Sequence, residues 1–211
     1  EPFITAEFSA RLGYWNEALA DERAFVRALL NVARCVVLAS AEIRARRSDA
    51  VFIQSDTCHH TRPVRPEDAA RADLENELRF VGYELAYGRP LSGLAADHLL
   101  AHGATQEELA WFERNGSDER TIVGTDYYAG SEREVRADGS LGPAGVRLGY
   151  YDLGRQYHER LGVPIMLAET NKAGDEAVDW LLRQWTDAVR LRDEGVPIRG
   201  FIWYGFVNHV D

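Results

Sequence analysis

Strand-like segments alternate with helical segments along the chain, and this order restricts the fold more than any other feature of the sequence. Apolar runs predict strands at residues 49–55, 120–124, 163–168 and 198–203, and three- to four-residue apolar spacing, helped by capping residues, predicts helices at residues 21–47, 66–87, 105–112, 149–161 and 175–193. A helix between successive strands places those strands parallel in one sheet. The turn Gly-Val-Pro-Ile occurs twice, beginning at Gly162 and at Gly195, each time between a helix and a strand. The repeated turn indicates equivalent helix–strand units.

Such alternation fits either an open sheet or a closed barrel. No strand is followed by a Gly-x-Gly-x-x-Gly or Gly-x-x-x-x-Gly-Lys loop, which disfavours an open nucleotide-binding sheet. We therefore predict an α/β fold of the (β/α)8 TIM-barrel type. A closed barrel needs eight strands and typically about 250 residues, whereas four strands are predicted in 211 residues. Unpaired parallel edges are sticky, so we expect the missing part of the barrel, or another chain, to cover them.

Composition and charge exclude several classes of partner. The 24 Lys and Arg residues are outnumbered by 34 Asp and Glu, which gives a net charge of −10, and this excess repels nucleic acid and anionic lipid. Charged residues interrupt every apolar run before it reaches membrane-spanning length. Cys35 and Cys58 are too few for a disulfide framework, which favours a cytoplasmic, reducing location. Lys172 is the only lysine among 24 basic residues, a habit of GC-rich bacterial coding sequences.

Polar residues that follow the predicted strands form the candidate site, because the carboxyl ends of barrel strands converge on one face. They are Asp56, His59, His60, Asp126, Tyr127, Tyr128, Glu169, Thr170, Asn171, Trp203, Tyr204, Asn208, His209 and Asp211. A carboxylate directly after a buried strand, such as Glu169, is costly to place without a purpose, although it could instead cap the next helix. Cys58-His59-His60 predicts no metal site, because adjacent side chains cannot easily face one ion.

Three segments carry a resemblance to a known family. Glu1-Pro2 resembles the end of an Asn-Glu-Pro motif, Met166-Leu-Ala-Glu169-Thr-Asn resembles a Thr-Glu-Asn nucleophile strand, and Gly200-Phe-Ile-Trp203-Tyr204 with Asp211 resembles a final Trp-Ser strand. These motifs belong to glycoside hydrolase family 1, the β-glucosidase-like family in the clan of (β/α)8 retaining glycosidases. The resemblance implies that residues 1–211 are one catalytic-barrel portion, the carboxy-terminal half, from the end of strand four to strand eight.

The chain departs from the family pattern at two positions. The family's Asn-Tyr-Tyr after strand six is Asp126-Tyr127-Tyr128 here, and the Ser after the last-strand Trp is Tyr204. Sugar recognition therefore need not match that of a standard β-glucosidase. The resemblance further implies a cis peptide bond between Trp203 and Tyr204.

The implied activity is a retaining O-glycosidase that hydrolyses β-linked sugars by double displacement, with no metal or organic cofactor. Glu1 would be the acid/base and Glu169 the nucleophile, with their carboxyl groups about 5 Å apart. Glu169 is expected to accept a hydrogen bond from a donor such as Tyr128. The residues expected to bind the carbohydrate are His59, His60, Asp126, Tyr128, Trp203 and Asp211, with Trp203 as a stacking wall.

Three other functions remain open at this point. A non-catalytic carbohydrate-binding barrel would keep the pocket and lack one working carboxylate. Another glycosidase family of the same clan would share the two glutamates. A barrel acting on phosphorylated metabolites would need a glycine-rich phosphate loop after strands seven and eight, and residues 170–174 and 204–208 are not rich in glycine.

Overall fold

The computed structural model describes residues 1–15 and 18–205. Asp211, which we expect to contact the sugar, lies outside the described residues, as do Asn208 and His209. The chain forms two compact units. Unit 1 comprises Glu1–Asp56 and Glu77–Thr121, and unit 2 comprises Thr57–Asn76 and Ile122–Asp211.

Unit 1 is mostly helical. It contains α1 (Pro2–Ala6), a π-helical turn (Glu7–Arg11), α2 (Glu22–Arg46), most of β1 (Phe52–Thr57), the carboxyl half of α3 (Ala69–Ala86), α4 (Gly93–Ala101) and α5 (Gln106–Asn115). Two helices of this unit begin with a side-chain cap, and the capping box that the sequence predicts at Thr105 is one of them. Asp21 accepts a hydrogen bond from the amide of Ala24 at 2.8 Å at the start of α2. Thr105 and Glu108 form a reciprocal capping box at the start of α5, because each side chain satisfies an amide that the helix leaves without a partner.

The core of unit 1 lies between α1 and α2. The ring of Phe3 meets the ring of Phe25 edge-on with centroids 5.6 Å apart, and Leu29 is fully buried on the same helix. By length and composition alone, α2 is apolar enough to cross a membrane. One face of α2 is buried within unit 1, and Arg27 of this helix forms an ion pair with Glu108. Both features are typical of a core helix in a globular unit.

Most strands of unit 2 pair in parallel, and β4 and β5 pair antiparallel. The unit contains β2 (His60–Arg62), most of β3 (Thr121–Asp126), β4 (Glu132–Val135), β5 (Leu141–Pro143), α6 (Tyr150–Leu161), β6 (Ile165–Glu169), α7 (Ala177–Asp193) and β7 (Ile198–Phe201). Parallel pairing places Val123 of β3 beside Ile165 of β6, and Leu167 of β6 beside Phe201 of β7. The first four residues of β6 are all buried, as expected of a strand covered on both faces.

The predicted helix-to-strand turns are confirmed. Gly162 ends α6 in the left-handed region with a φ of 63°, and Gly195 follows α7 with a φ of 94°. Glycine adopts such angles without the Cβ clash that other residues suffer. The same local solution therefore carries the chain from α6 into β6 and from α7 into β7.

Two features of the strands differ from the sequence prediction. The first strand begins at Phe52 rather than residue 49. The unbroken apolar run there predicts a strand buried on both faces, whereas Ile53 is 54% exposed. In addition, β2, β4 and β5 form a second, three-stranded sheet that was not predicted. Its strands have only three or four residues, too few for a two-residue alternation to stand out.

Candidate active site

Glu169 occupies the carboxyl end of β6, where its side chain is partly exposed. The hydroxyl of Tyr128 donates a hydrogen bond of 2.8 Å to Oε2 of Glu169, so the hydrogen bond expected between these residues is present. A charge-assisted hydrogen bond of this kind fixes the carboxylate's orientation. Glu169 can thus present its other oxygen in a defined direction.

Asp126 lies beside Glu169 at the end of the neighbouring strand β3. A ligand oxygen of Asp126 is within 4.8 Å of one of Glu169, and Asp126 is buried. The pairing between the strands shifts register after Thr125, so that Asp126 rather than its successor faces Glu169. Two carboxylates this close can share a proton, a cation or a set of donor hydroxyl groups.

A network of hydrogen bonds centred on Glu132 supports the segment that follows Asp126. The hydroxyl of Tyr127 donates to Oε1 of Glu132 at 2.7 Å, and Glu132 also accepts the amides of Leu148 and Gly149 at 2.6 and 3.0 Å. Burial raises the pKa of the Tyr127 hydroxyl, and the hydrogen bond to Glu132 raises it further. The phenol therefore stays a proton donor. Sequence reasoning missed Glu132, whose only signal was an acid within an otherwise unassigned loop.

Trp180 also packs against this loop. Its ring lies nearly parallel to that of Tyr127, with centroids 5.7 Å apart, and its Nε1 donates to Oγ1 of Thr170 at 2.8 Å. Thr170 directly follows Glu169 and is fully buried. The position of Trp180 within a predicted helix indicates a packing residue, and its burial against Tyr127 and Thr170 confirms this.

The last strand leads to the predicted stacking residue. Trp203 is partly exposed two residues after the end of β7, and the amide of Tyr204 donates to the carbonyl of Thr170 at 3.1 Å. The cis peptide bond lies between Tyr204 and Gly205. The prediction of a cis bond at Trp203–Tyr204 is therefore wrong by one residue.

The two predicted histidines lie where β1 passes into β2. His59 is buried in the short connection, and His60 is the first residue of β2, with Glu132 as its partner in the parallel strand β4. The amide of His60 donates to the carbonyl of Ser131 at 3.1 Å. His60 is therefore paired across the sheet with Glu132, whose carboxylate accepts the hydrogen bond from Tyr127.

Glu1 belongs to unit 1, where it is the residue immediately before α1. Its side chain is exposed, and Pro2 takes the first helical position, where a missing amide hydrogen costs nothing. The first amides of α1 bond instead to Asp56, at the end of β1. Of the two predicted catalytic glutamates, Glu169 therefore ends a strand and Glu1 directly precedes a helix.

No protein-family model matches the sequence, and no curated protein matches it significantly. Solved structures do match the fold. A β-glucosidase from Thermotoga maritima in complex with glucoimidazole superposes with a TM-score of 0.79 at 17% identity, over 97% of this chain and 52% of that chain. The same organism's family 1 β-glucosidase gives 0.78 at 16% identity, and its complex with castanospermine gives 0.78 at 16%, both with the same coverage.

These likenesses show the fold. The chain is an α/β protein with a parallel sheet that matches part of a (β/α)8 barrel, as the strand and helix order predicted. It spans about half the length of the solved structures it matches. Similarity of 16–17% identity establishes the β-glucosidase-like fold and leaves the chemistry to be argued from the residues.

Proposed function

We propose that this chain is part of a retaining glycosidase that hydrolyses β-linked sugars with two glutamates. The observation that carries the proposal is the arrangement around Glu169. A carboxylate at the end of a barrel strand accepts a hydrogen bond from Tyr128 at 2.8 Å and has Asp126 beside it. The resemblance of residues 166–171 to the family 1 nucleophile strand implies that the nucleophile is the glutamate at this strand end.

The proposed reaction proceeds in two displacements. First, an oxygen of Glu169 attacks the anomeric carbon, the bond from that carbon to the leaving oxygen breaks, and Glu1 donates its proton to that oxygen. A water then attacks the anomeric carbon while Glu1 removes a proton from that water, and the bond between the anomeric carbon and the Glu169 oxygen breaks. This frees the sugar, leaves Glu169 ionised and leaves Glu1 protonated, as at the start. Retention requires the two carboxyl groups to lie about 5 to 5.5 Å apart.

The remaining site residues are proposed to bind the sugar. Trp203 offers a flat face for a pyranose ring, and Asp126 and Tyr128 can bond hydroxyl groups next to the anomeric carbon. His59, His60 and Asp211 complete the proposed set. Three of the matched β-glucosidase structures are complexes with glucoimidazole, deoxynojirimycin and castanospermine, which suggests testing these three compounds as inhibitors.

Removal of the nucleophile provides the direct test. Glu169→Gly should reduce hydrolysis of aryl β-glycosides by several orders of magnitude, because the covalent step is lost. Added azide should restore release of the aryl group and yield a glycosyl azide of inverted configuration, since the small anion fits the space left by the side chain. Release of nitrophenol and the anomeric configuration by NMR are the measurements.

A matched control separates this outcome from general damage. Glu176 is exposed seven residues further along the chain, so Glu176→Gly should retain activity and show no azide effect. Wild-type protein that binds the sugars without hydrolysing any aryl glycoside would favour the non-catalytic binding barrel. Azide rescue that gives a product of retained configuration would contradict the assignment of Glu169.

We also propose that a further barrel segment covers the outer edge of unit 2. Along this edge, β7 pairs with β6 on one side, and no other strand in the described part of the chain pairs with β7. A groove of about 210 Å³ runs beside it. Its lining includes the apolar side chains of Trp185, Val189, Ile198 and Phe201, together with Arg192 and Arg199. The amino-terminal half of a barrel is the proposed occupant, since the matched structures are about twice as long as this chain.

A further inference from the structure

A buried carboxylate in unit 1 holds the backbone that carries Glu1. Asp56 is fully buried, and it accepts the amide of Phe3 at 2.6 Å through Oδ2 and the amide of Ile4 at 3.1 Å through Oδ1. These are the second and third residues of α1, whose amides are normally bonded by the side chain of the N-cap residue. The N-cap here is Glu1, and its side chain makes no such bond. Asp56 caps the helix in its place.

Helix α3 encloses both the backbone and the carboxylate of Asp56. The hydroxyl of Tyr83 donates to the Asp56 carbonyl at 3.2 Å. On the same helix, a Cβ at Gly82 would lie 3.2 Å from Oδ2 of Asp56 and 3.4 Å from Cβ of Pro2. The backbone of α3 therefore packs directly against both Asp56 and the start of α1. A second bond, from Nε2 of Gln54 to the carbonyl of Gly82 at 3.0 Å, ties β1 to α3.

We infer that Asp56 is a positioning residue that sets the place of the Glu1 carboxyl through the first turn of α1. The inference rests on the proposed function, in which Glu1 donates the proton to the leaving oxygen. Burying an ionised carboxylate is costly unless it is well hydrogen-bonded, and both oxygens of Asp56 accept amides within two and three residues of Glu1. Proton transfer requires a donor within hydrogen-bond reach of the leaving oxygen, so a shift of this turn impairs that step first.

The leaving group separates this role from a general structural one. Asp56→Asn keeps the shape of the side chain but replaces one acceptor oxygen by a donor, so one of the two amides loses its partner. A phenyl β-glycoside needs protonation of its leaving oxygen, and we expect its kcat/KM to fall by about 100-fold, the cost of misplacing a catalytic group by about 1 Å. A 2,4-dinitrophenyl β-glycoside with the same sugar leaves without that proton, and its kcat/KM should stay within about threefold of wild type.

Two further variants define the coupling. In a Glu1→Gln background, Asp56→Asn should cause no additional loss, because the group it positions is already gone. Asp68→Asn is the matched control: Asp68 is also a buried carboxylate that accepts an amide, that of Arg65 at 3.1 Å, and it belongs to unit 2. This control should leave the ratio of kcat/KM between the two substrates unchanged. Equal losses of kcat/KM on both substrates in Asp56→Asn would overturn the inference.

Two further measurements test the inference, one if Asp56→Asn does not fold and one if the proposed function fails. If Asp56→Asn does not fold, Tyr83→Phe removes the donor to the Asp56 carbonyl and should give a smaller change of the same kind; equal effects on both substrates would again contradict the inference. If wild-type protein hydrolyses no aryl glycoside, the proposed function fails. Hydrogen exchange of the Phe3 and Ile4 amides then decides the role of Asp56 alone: at least tenfold faster exchange in Asp56→Asn supports it, and unchanged exchange overturns it.

Discussion

The hydrogen bond from Tyr128 to Glu169 is the contact on which the proposed reaction depends most within unit 2. A hydrogen bond to a charged group contributes about 1.5 to 3 kcal/mol, and in the proposed reaction Glu169 must keep one orientation to attack the anomeric carbon. Tyr128→Phe removes the donor at 2.8 Å. We expect kcat for aryl glycosides to fall by about 10- to 100-fold, measured by steady-state kinetics.

The control for this prediction is another tyrosine. Tyr14 is 70% exposed in unit 1, so Tyr14→Phe should leave kcat within about twofold of wild type. Activity of Tyr128→Phe equal to that of the control would show that the hydroxyl does not orient the nucleophile.

Glu22 provides a pH-dependent prediction at the same scale. Burial alone would raise its pKa, but a hydrogen bond from His98, the charges of Arg11 and His98 and a hydrogen bond from Arg11 lower it from 4.5 to about 2. Because the folded pKa is depressed, this carboxylate stabilises the fold at pH values above about 4.5, and the stabilisation is lost as the pH falls towards 2. The unfolding free energy of wild type should therefore drop across this range.

Glu22→Gln should show a smaller drop, since the substituted side chain does not titrate. Urea unfolding at pH 5 and at pH 3 measures the difference. Glu113→Gln, at an exposed position of α5, serves as the control and should follow wild type. Identical pH profiles for Glu22→Gln and wild type would show that Glu22 is not linked to acid stability.

At the scale of elements, the sequence predicted the long and well-capped structures and missed the short ones. The period of α2, the capping box at Thr105 and the glycine turn at Gly162 are local signals, and all three are confirmed. In the second sheet, β4 and β5 form a short antiparallel hairpin, whereas β2 joins it by pairing residues more than 60 positions apart, such as His60 with Glu132. No local pattern encodes the pairing of β2 with β4.

The candidate site divides in the same way. A strand-end position and a motif pointed to Glu169, and its hydrogen bond with Tyr128 followed from the resemblance. The bonds that support the two candidate glutamates could not be predicted. Beside Glu1, the amide of Phe3 donates to Asp56 across 53 positions, and beside Glu169, Trp180 donates to Thr170 from the following helix. Support of this kind arises only when separate elements pack.

A close approach of two glycines gives a prediction for the packing of α3 and α5. A Cβ on Gly116 would lie 2.1 Å from the amide nitrogen of Gly88, a distance that neither backbone can accommodate. The φ of Gly116 is an ordinary −70°, so the only penalty is steric. Gly116→Ala should lower the unfolding free energy by about 1 to 3 kcal/mol or more, measured by urea denaturation.

Gly130 is the control for this substitution. It is exposed, and a Cβ there would meet nothing within 4 Å, so Gly130→Ala should change the unfolding free energy by no more than about 0.5 kcal/mol. Equal stability of the two variants would mean that the ends of α3 and α5 separate easily.

At the scale of the whole molecule, the alternation of strands and helices was sufficient to predict the fold class. The match to β-glucosidase structures at a TM-score of 0.79 confirms a partial (β/α)8 barrel. Alternation is informative because a crossover helix forces neighbouring strands to be parallel. Sequence identity of 17% is too low to carry the substrate with the fold, since one barrel architecture supports many chemistries.

The proposed covering of the β7 edge leads to a prediction about Trp185. Its ring meets that of Phe201 edge-on, with centroids 5.4 Å apart, and 52% of its surface is exposed. If an amino-terminal barrel half lies on this groove in the intact protein, Trp185→Arg buries a charge in an apolar contact. Leu182→Arg is the matched control, because Leu182 is 58% exposed on the same helix and does not line the groove. In the intact protein, calorimetry should show a Tm lower by several degrees for Trp185→Arg and nearly unchanged for Leu182→Arg. Equal Tm values for the two variants would mean that the groove faces solvent and that the edge of β7 has no barrel partner.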